Sequence, residues 1–468
     1  MISSNIAIHS RRLHRRDFLR FAASAGIVAT GLSVFGGCDS DPSLTEPTVR
    51  NPLRLPPTIT ARDQTLAATE TVLELDDGKT SRAWGYNGHL PGPTLRVRRG
   101  ENVNIRLRNE LHDETTIHWH GMIVPHSMDG HPLDAVSPGN TYTYHYPILQ
   151  RAGMNWYHPH PHHHTGEQIF GGLAGALIVE DPEEAALGLP SGMCELPLIV
   201  RDARVDSAGN LRYRGTSSGF KGDFGLVNGV PYATTEVGNA LYRLRLLNGA
   251  NARVFRLALT NGAPVTLIGN DGGLLEVPAT VSRIDFAPAE RLDLLLDLRQ
   301  RAVGERVVLR CDRAGWDLLE FVVTEEIDSH ARVPEVLSTI EALSPADVSE
   351  ERTFRFEGNH RINGKEFEMD RVEFRVPLGR TERWRFQSDG GAPHPVHVHG
   401  ASFQVESRRG GRGRLFPWEL GWKDTVLLQE RETVDVLVRF EHYTGLYLLH
   451  CHKLEHEDGG MMMNFEVY

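Results

Sequence analysis

One layout of segments recurs three times along this chain, and the recurrence limits the fold more than any other feature. In each copy an Asn-Gly pair precedes a run of alternating apolar and polar residues; the pairs are Asn87-Gly88, Asn228-Gly229 and Asn363-Gly364. Asn-Gly is typical of tight turns, and alternation with a period of two is typical of a strand with one buried face. The repeating unit, judged by the distance between successive Asn-Gly pairs, has the length of a whole domain and is too long for the unit of a solenoid.

Two further segments complete each copy. The first reads TIHWHGM, RVFRLAL and HPVHVHGASF in the three copies, and the second reads NWYHPHPH, VVLRCDR and LYLLHCHK. Two stretches with the composition of linkers separate the copies, EDPEEAALGLPSG and DSHARVPEVLSTIEALSPADVSE. The sequence therefore predicts an all-β fold of three tandem Greek-key β-sandwich domains, over residues 52–182, 194–327 and 350–468.

The first 38 residues are typical of an export signal. Arg15 and Arg16 precede Phe18, Leu19 and an apolar run, as in a twin-arginine signal, with a lone membrane anchor as the alternative. The run ends in FGGC, so Cys38 is a candidate for lipidation and membrane attachment. We expect a periplasmic or cell-envelope protein. The net charge of −11 argues against a nucleic-acid partner.

Histidines are paired in the first and third copies and absent from the middle one. No histidine occurs between His164 and His330. The pairs have the spacing His-x-His and lie on the same two segments of each copy: His118/His120, His158/His160, His397/His399 and His450/His452. At the place of Cys451 the middle copy has Cys311, without flanking histidines; we interpret Cys311 as a small buried residue, with a disulfide to Cys194 as the alternative. The histidine chemistry is therefore expected in the first and third copies.

The spacing of these histidines predicts two kinds of metal site. Residues i and i+2 of a strand face the same way, so four His-x-His pairs offer eight nitrogens, enough for several metal ions. Cys451 then faces away from His450 and His452, towards a second site. Its candidate partners are His394, His456 and Met461, with Met462 the rival for the last position. One thiolate, two imidazoles and a weak methionine ligand suit blue copper, whereas structural zinc sites take more thiolates and no methionine. We interpret His162, His163 and His164 as loop residues that support the ligands or bind metal weakly.

The motifs HWHG, HPHPH, HPVHVHG and HCHKLEHEDGGMM resemble the four ligand motifs of the multicopper oxidases. WGYNG, LRLLNGANAR, APAER and GWKDTV are similar to the three-domain bacterial members, the copper-efflux oxidases and spore-coat laccases. The resemblance implies cupredoxin-like domains and four copper ions. It assigns the type 2 ion to His118 and His397, and the type 3 pair to His120, His158, His160, His399, His450 and His452. It assigns the type 1 ion to His394, Cys451, His456 and axial Met461, and proton handling to Asp129 and Glu457.

The activity that the resemblance implies is that of a laccase-like oxidase. A small reducing substrate, such as a phenol, an aromatic amine or a metal ion, would lose single electrons at the type 1 copper, and O2 would be reduced to water at the other three. A cuprous oxidase is the first alternative, although QSDGGAPHPVH has Ala392 and no methionine and the Met-rich insert of efflux oxidases is missing. A non-catalytic scaffold is the second. We expect a monomer, and the arginines of residues 408–422 suggest a basic patch that favours anionic donors.

Overall fold

The computed structural model describes residues 50–468 except 76–77 and 329–330. The predicted export signal, with Cys38, lies outside the described residues. Within the described ranges no helix has the length and apolar character to cross a membrane. These residues are organised as six β-sheets, which share hydrophobic cores in pairs.

The first sandwich joins a five-stranded sheet to a four-stranded sheet. The chain enters through β1 (Asn51–Pro52), which lies at the edge of a sheet of the second sandwich. The strands of the first sandwich are β2 (Thr58–Thr60), β3 (Arg62–Glu74), β4 (Thr80–Tyr86), β5 (Gly92–Arg98), β6 (Asn102–Asn109), β7 (His118–His120), β8 (Thr141–Pro147), β9 (Gly153–His158) and β10 (Gly175–Glu180). Helix α1 (Thr165–Gly171) precedes β10, and helix α2 (Pro182–Ala185) follows it. The sheet orders are β2-β5-β10-β9-β7 and β4-β3-β6-β8.

The second sandwich is the largest. Its strands are β11 (Glu195–Ala203), β12 (Phe224–Val227), β13 (Val230–Pro231), β14 (Ala233–Gly238), β15 (Leu241–Asn248), β16 (Phe255–Leu259), β17 (Val265–Asn270), β18 (Gly273–Val281), β19 (Ile284–Phe286), β20 (Arg291–Asp297), β21 (Arg306–Cys311) and β22 (Trp316–Glu325). With β1 they form the sheets β1-β14-β22-β21-β16-β19 and β13-β12-β11-β15-β20-β17-β18.

The third sandwich ends the chain. Its strands are β23 (Val348–Glu357), β24 (Arg361–Ile362), β25 (Val372–Val376), β26 (Thr381–Ser388), β27 (His394–Val398), β28 (Phe403–Gly410), β29 (Trp422–Lys423), β30 (Thr425–Leu428), β31 (Glu432–Arg439), β32 (Gly445–Cys451) and β33 (Met462–Val467), with helix α3 (Leu454–Asp458) after β32. The sheets are β24-β23-β26-β31-β28-β29 and β25-β33-β32-β27-β30. Short 3-10 turns occur at His126–Met128, Pro132–Asp134, Gly192–Cys194, Pro345–Asp347 and Pro417–Glu419.

The three Asn-Gly turns have the same geometry, as the sequence predicts. Asn87, Asn228 and Asn363 have φ of 55°, 50° and 54°, in the left-handed region that asparagine tolerates best after glycine. Each asparagine side chain accepts from one backbone N–H and donates to one backbone carbonyl of a neighbouring strand, which is β3, β11 or β23 respectively. The predicted repeat is therefore present in three dimensions, and the all-β, cupredoxin-like fold is confirmed.

The middle sandwich replaces metal chemistry with apolar packing at the corresponding place. β16 pairs with β21 so that Leu257 lies opposite Cys311, whereas β27 pairs with β32 so that Val396 lies opposite Cys451. Cys311 is 1% exposed and belongs to the core of this sandwich. Cys311 and Cys194 are both free, so the alternative of a disulfide between them is wrong.

Candidate metal centres

Eight buried imidazoles converge where the first sandwich meets the third. In the first sandwich, pairing of β7 with β9 places His118 opposite His158; in the third, pairing of β27 with β32 places His397 opposite His450. The other four histidines lie two residues further along the same segments. None of the eight is more than 1% exposed: His118, His120, His158, His160, His397, His399, His450 and His452. The structure therefore brings together all four predicted His-x-His pairs.

Nitrogen atoms from both sandwiches approach each other within this cluster. His118 Nε2 lies 3.3 Å from His397 Nε2, and His399 Nε2 lies 3.0 Å from His450 Nε2. His160 Nε2 lies 3.4 Å from His450 Nε2, and these two nitrogens and a nitrogen of His399 all lie within 4.8 Å of one another. Each sandwich supplies only part of the donor set, so the cluster requires both.

Asp129 fixes two of the rings from the side of the first sandwich. His118 Nδ1 donates to the Asp129 carbonyl at 2.7 Å, and His399 Nδ1 donates to Asp129 Oδ2 at 2.7 Å. Because Nδ1 carries the proton in both rings, each Nε2 keeps its lone pair for the interior of the cluster. Asp129 is fully buried.

Asp424 fixes two further histidine rings from the side of the third sandwich. His397 Nδ1 donates to the Asp424 carbonyl at 2.8 Å, and His120 Nε2 donates to Asp424 Oδ1 at 3.0 Å. His120 therefore turns Nδ1 inward, 3.4 Å from His158 Nε2. Arg291 of the middle sandwich donates through Nη1 to Asp424 Oδ1 at 2.8 Å and through Nη2 to Oδ2. The ion pair of Arg291 and Asp424, together with the hydrogen bond from His120, therefore links all three sandwiches at the cluster.

Sequence reasoning missed both Asp424 and Arg291 as functional residues. They lie in GWKDTV and APAER, segments that carry a family resemblance but no ligand spacing. Arg291 is 1% exposed and Asp424 is 2% exposed, so their charges depend on each other. The signal present in the sequence was a charged residue inside a family-like segment. The burial of that residue, which marks it as important, is not visible in a single sequence.

The donor chemistry of the cluster fits metal ions. Burial lowers the pKa of His160 and of His452 to about 3, so both rings are neutral at physiological pH. Neither ring nitrogen of buried His452 has a hydrogen-bond partner, and its ring lies 5.0 Å from that of His120 and 5.2 Å from that of His158. Unpartnered polar atoms are costly in a protein interior unless a ligand occupies them.

A second donor set lies on the opposite face of β32. Cys451 Sγ is 3.5 Å from His394 Nδ1 and 3.8 Å from His456 Nδ1, and the two nitrogens are 3.3 Å apart. All three residues are fully buried. Burial raises the pKa of the Cys451 thiol to about 12 and lowers the pKa of His394 to about 3. A thiolate in this place requires a cation, and one sulfur with two neutral imidazoles is a donor set suited to copper.

The two candidate axial methionines pack in different hydrophobic clusters. Met461 is fully buried and belongs to the same hydrophobic core as Cys451. Met462 packs instead against Phe367 and Leu448 in a separate cluster. The packing therefore favours Met461 over Met462 as the residue beside Cys451.

Glu457, on the short helix α3, contacts the histidine cluster. Its carboxylate oxygens are 3.2 Å from His450 Nδ1 and 3.6 Å from His160 Nε2. Glu457 is fully buried, and His456, one residue earlier, supplies Nδ1 to the other donor set. A single helical turn thus carries a side chain to each set.

Two other expectations have different outcomes. His162, His163 and His164 belong to none of the convergent donor groups found among the described residues, and His163 Nδ1 instead contacts the Asp458 carbonyl at 2.8 Å.

The basic patch expected over residues 408–422 is wrong for three of the four arginines, because they form ion pairs with neighbouring carboxylates: Arg408 with Glu419 and Glu432, Arg409 with Asp435, and Arg412 with Glu432.

Comparisons with known proteins agree with this geometry. Family models described as multicopper oxidase match residues 67–184 and 341–468. The chain is 35% identical to the multicopper oxidase mco of Staphylococcus haemolyticus, over 87% of this chain and 88% of that protein. It is 31% identical to a laccase of Bacillus subtilis, over 83% and 90%. The crystal structure of the McoA multicopper oxidase from Aquifex aeolicus superposes with a TM-score of 0.83 at 34% identity, covering 90% of this chain and 99% of that one.

Two buried donor sets of imidazoles and one thiolate, held by β-sandwiches of this kind, define a copper-dependent oxidoreductase. The chain belongs to the multicopper oxidase family. Membership implies copper, oxygen and a reducing substrate. The chain is also 30% identical to the cell division protein FtsP of Escherichia coli, over 92% of each protein.

Proposed function

We propose that this protein is a laccase-like multicopper oxidase with four copper ions. It would take single electrons from a small reducing substrate, such as a phenol, an aromatic amine or a metal ion, and reduce O2 to water. His394, Cys451, His456 and Met461 would hold the type 1 ion. The other three ions are assigned to the eight-histidine cluster, with His118 and His397 for type 2 and the remaining six rings for type 3. The observation that carries the proposal is the convergence of both donor sets on the two faces of β32.

Bound copper would supply one-electron redox chemistry and the binding of O2. The chain supplies a short covalent route between the two sites, because His450 and His452 flank Cys451 directly. His450 Nδ1 also lies 3.3 Å from the Cys451 carbonyl oxygen, which adds a contact along the same route. Burial of all three residues excludes water from this path.

Protons for the reduction of O2 are assigned to Asp129 and Glu457. Four protons are consumed for each O2, and a buried carboxylate within hydrogen-bonding reach of the reacting groups is suited to deliver them. Asp129 holds the ring of His399, and Glu457 lies 3.2 Å from the ring of His450, so each carboxylate touches the cluster. Both are proposed as catalytic residues.

The donor sets favour an oxidase over a scaffold. All twelve proposed ligands are buried, and the imidazole protons of His118, His397 and His399 have oxygen acceptors that leave Nε2 free to bind metal. A scaffold gains no stability from neutral imidazoles with unpartnered nitrogens. We further propose three domains with the predicted boundaries, export through the segment of residues 1–38, and a monomer.

Replacement of Cys451 by Ser tests the proposal. The purified native protein should contain four copper ions per chain, absorb strongly in the visible from a copper–thiolate bond, and consume O2 with a phenol. Cys451→Ser should lose the colour and the turnover but keep the copper of the histidine cluster. Cys311→Ser is the matched control, because Cys311 occupies the corresponding strand position without histidines and should keep the colour. A colourless native protein with far fewer than four copper ions would refute the oxidase proposal.

A further inference from the structure

Three buried carboxylates next to the histidine cluster share two cations. Asp271, Glu290 and Asp424 are 3%, 2% and 2% exposed. Within the described ranges, and apart from neutral histidine rings of the cluster, their ion-pair partners are Arg291 and Lys423. Both cations are 1% exposed, so solvent does not balance these charges. One negative charge is therefore in excess in the copper-free protein, which favours the binding of one proton.

Two of the three carboxylates have the donors that keep them charged. Asp271 accepts from Arg291 N at 2.8 Å and from Thr425 N at 3.3 Å, and its Oδ2 lies 2.9 Å from Lys423 Nζ. Asp424 accepts from both terminal nitrogens of Arg291 and from Thr425 Oγ1. Hydrogen bonds to the ionised form of a carboxyl group favour that form. The excess proton is therefore not expected on Asp271 or Asp424.

Glu290 has the fewest donors of the three. Its Oε2 accepts from Ala287 N at 2.8 Å, and its Oε1 lies 3.3 Å from Lys423 Nζ without the alignment of a hydrogen bond. Burial raises the pKa of Glu290 to about 7, although the charge of Lys423 opposes this shift. The other charged groups that face Glu290 are Asp271, Glu419, Arg291 and Arg412. The excess proton therefore belongs to Glu290 and the adjacent ammonium group of Lys423.

A cavity of about 330 Å³ brings solvent to this group. Exposed Arg99 and Glu441 line the cavity, so it opens to the surface. Its wall also contains Asp271, and the glycines that directly follow two cluster histidines, Gly121 and Gly400. A cavity of this size holds several water molecules, which can carry protons between polar groups. Asp271 thus lies on a route from solvent to the histidine cluster.

We propose that Glu290 and Lys423 form a proton store that supplies the reduction of O2 through Asp271 and this cavity. The inference rests on the proposed function and adds a proton source separate from Asp129 and Glu457. To discharge the store, Lys423 Nζ gives a proton to Asp271 Oδ2 and takes one from Glu290 Oε1, and Asp271 passes its proton to cavity water. The reverse steps refill the store, so one proton moves in each cycle and no electron is transferred. Glu290 acts through Asp271 and does not touch the reacting groups.

Urea unfolding of the copper-free protein tests the proton store independently of turnover. Folded Glu290 keeps its proton up to about pH 7, whereas the unfolded chain releases it near the ordinary value of about 4.3. The proton therefore stabilises the fold at low pH, and this contribution is lost as the pH rises through 7. Glutamine does not titrate, and the buried histidines are common to both proteins. The urea midpoint of the native protein should fall relative to that of Glu290→Gln between pH 5 and pH 8.

The matched control for this titration is Glu326→Gln, at an exposed position directly after β22. Its urea midpoint should follow that of the native protein at every pH. Parallel midpoints of the native protein and Glu290→Gln from pH 5 to pH 8 would overturn the proposal.

Steady-state turnover of the copper-loaded protein tests the supply of protons. Glu290→Gln should lower kcat with a phenol several-fold at pH 7 and much less at pH 5, with the KM for the phenol and the blue colour unchanged. Glu290→Asp keeps a carboxyl group and should recover most of the loss, which a merely structural role would not predict. An unchanged kcat in Glu290→Gln, or equal losses in the two variants, would overturn the proposal. A native protein that consumes no O2 but shows the pH-dependent difference in urea would refute the proposed function and confirm the proton-binding site.

Discussion

Asp424→Asn tests whether one buried carboxylate holds the three sandwiches together at the histidine cluster. Asp424 accepts from His120 of the first sandwich and from both terminal nitrogens of Arg291 in the middle one. Asparagine has the same size, but it has one acceptor oxygen in place of two and no charge. The Arg291 guanidinium would therefore stay buried without its principal counter-ion.

The expected cost follows from this burial. Removing one partner of a buried ion pair costs about 3–5 kcal/mol, because the other charge remains desolvated. Arg291 keeps a weaker partner, with Nη1 3.7 Å from Asp271 Oδ1, and it also donates to the carbonyls of Met154 and Ala289. We therefore expect the lower end of that range, about 3 kcal/mol of unfolding free energy.

Urea unfolding and copper content together measure the effect. Asp424→Asn should unfold at lower urea and lose copper from the histidine cluster, while the blue colour of the Cys451 site persists. Asp223→Asn is the matched control: Asp223 pairs with Arg204 Nη2 at 2.8 Å, but the two side chains are 38% and 39% exposed, so the cost should stay below about 1 kcal/mol. If both variants lose the same stability and Asp424→Asn keeps all its copper, the reasoning from burial is wrong.

Two further predictions concern the ligands. Met461→Leu should shift the reduction potential of the blue copper, measured by redox titration. Met462→Leu should leave the potential unchanged, because Met462 packs in a different hydrophobic cluster. Equal shifts in the two variants would exclude Met461 as the axial residue. Acidification should destabilise the copper-free protein: the folded pKa of His160, His394 and His452 is about 3, below the ordinary 6.5, so the unfolded chain takes up protons first. The stability that these neutral rings contribute is fully present above pH 6.5 and should be lost progressively as the pH falls from 6.5 towards 3. Urea titrations at pH 7 and pH 5 would detect the loss, and equal stability at both would contradict it.

The fold and most candidate ligands could be predicted because both depend on local periodicity. Two imidazoles at i and i+2 face one side of any strand, so His397 and His399 could be paired without knowing their neighbours. The same rule set Cys451 apart from His450 and His452, and the structure places its sulfur with His394 and His456. The Asn-Gly turns were equally local, since their positive φ depends on the residue type itself.

Burial and ion pairing could not be predicted, because they depend on which distant segments meet. The arginines of residues 408–422 suggested a basic patch, but β31 and the turn at Pro417–Glu419 bring carboxylates against three of them. The helix that carries His456 and Glu457 has only five residues, too few for a helical period to be visible in the sequence.

The sequence by itself determined the repeat, the strand faces and the types of donor, because each of these follows from residue type and spacing along one strand. Only the tertiary structure decided how the donors meet. It joined half-sites from the first and third sandwiches, supplied Arg291 from the middle one to hold Asp424, and laid Ser217 over His456. The physical reason is that periodicity fixes the direction of a side chain relative to its own strand, whereas contacts across hundreds of residues are set by the packing of whole sheets.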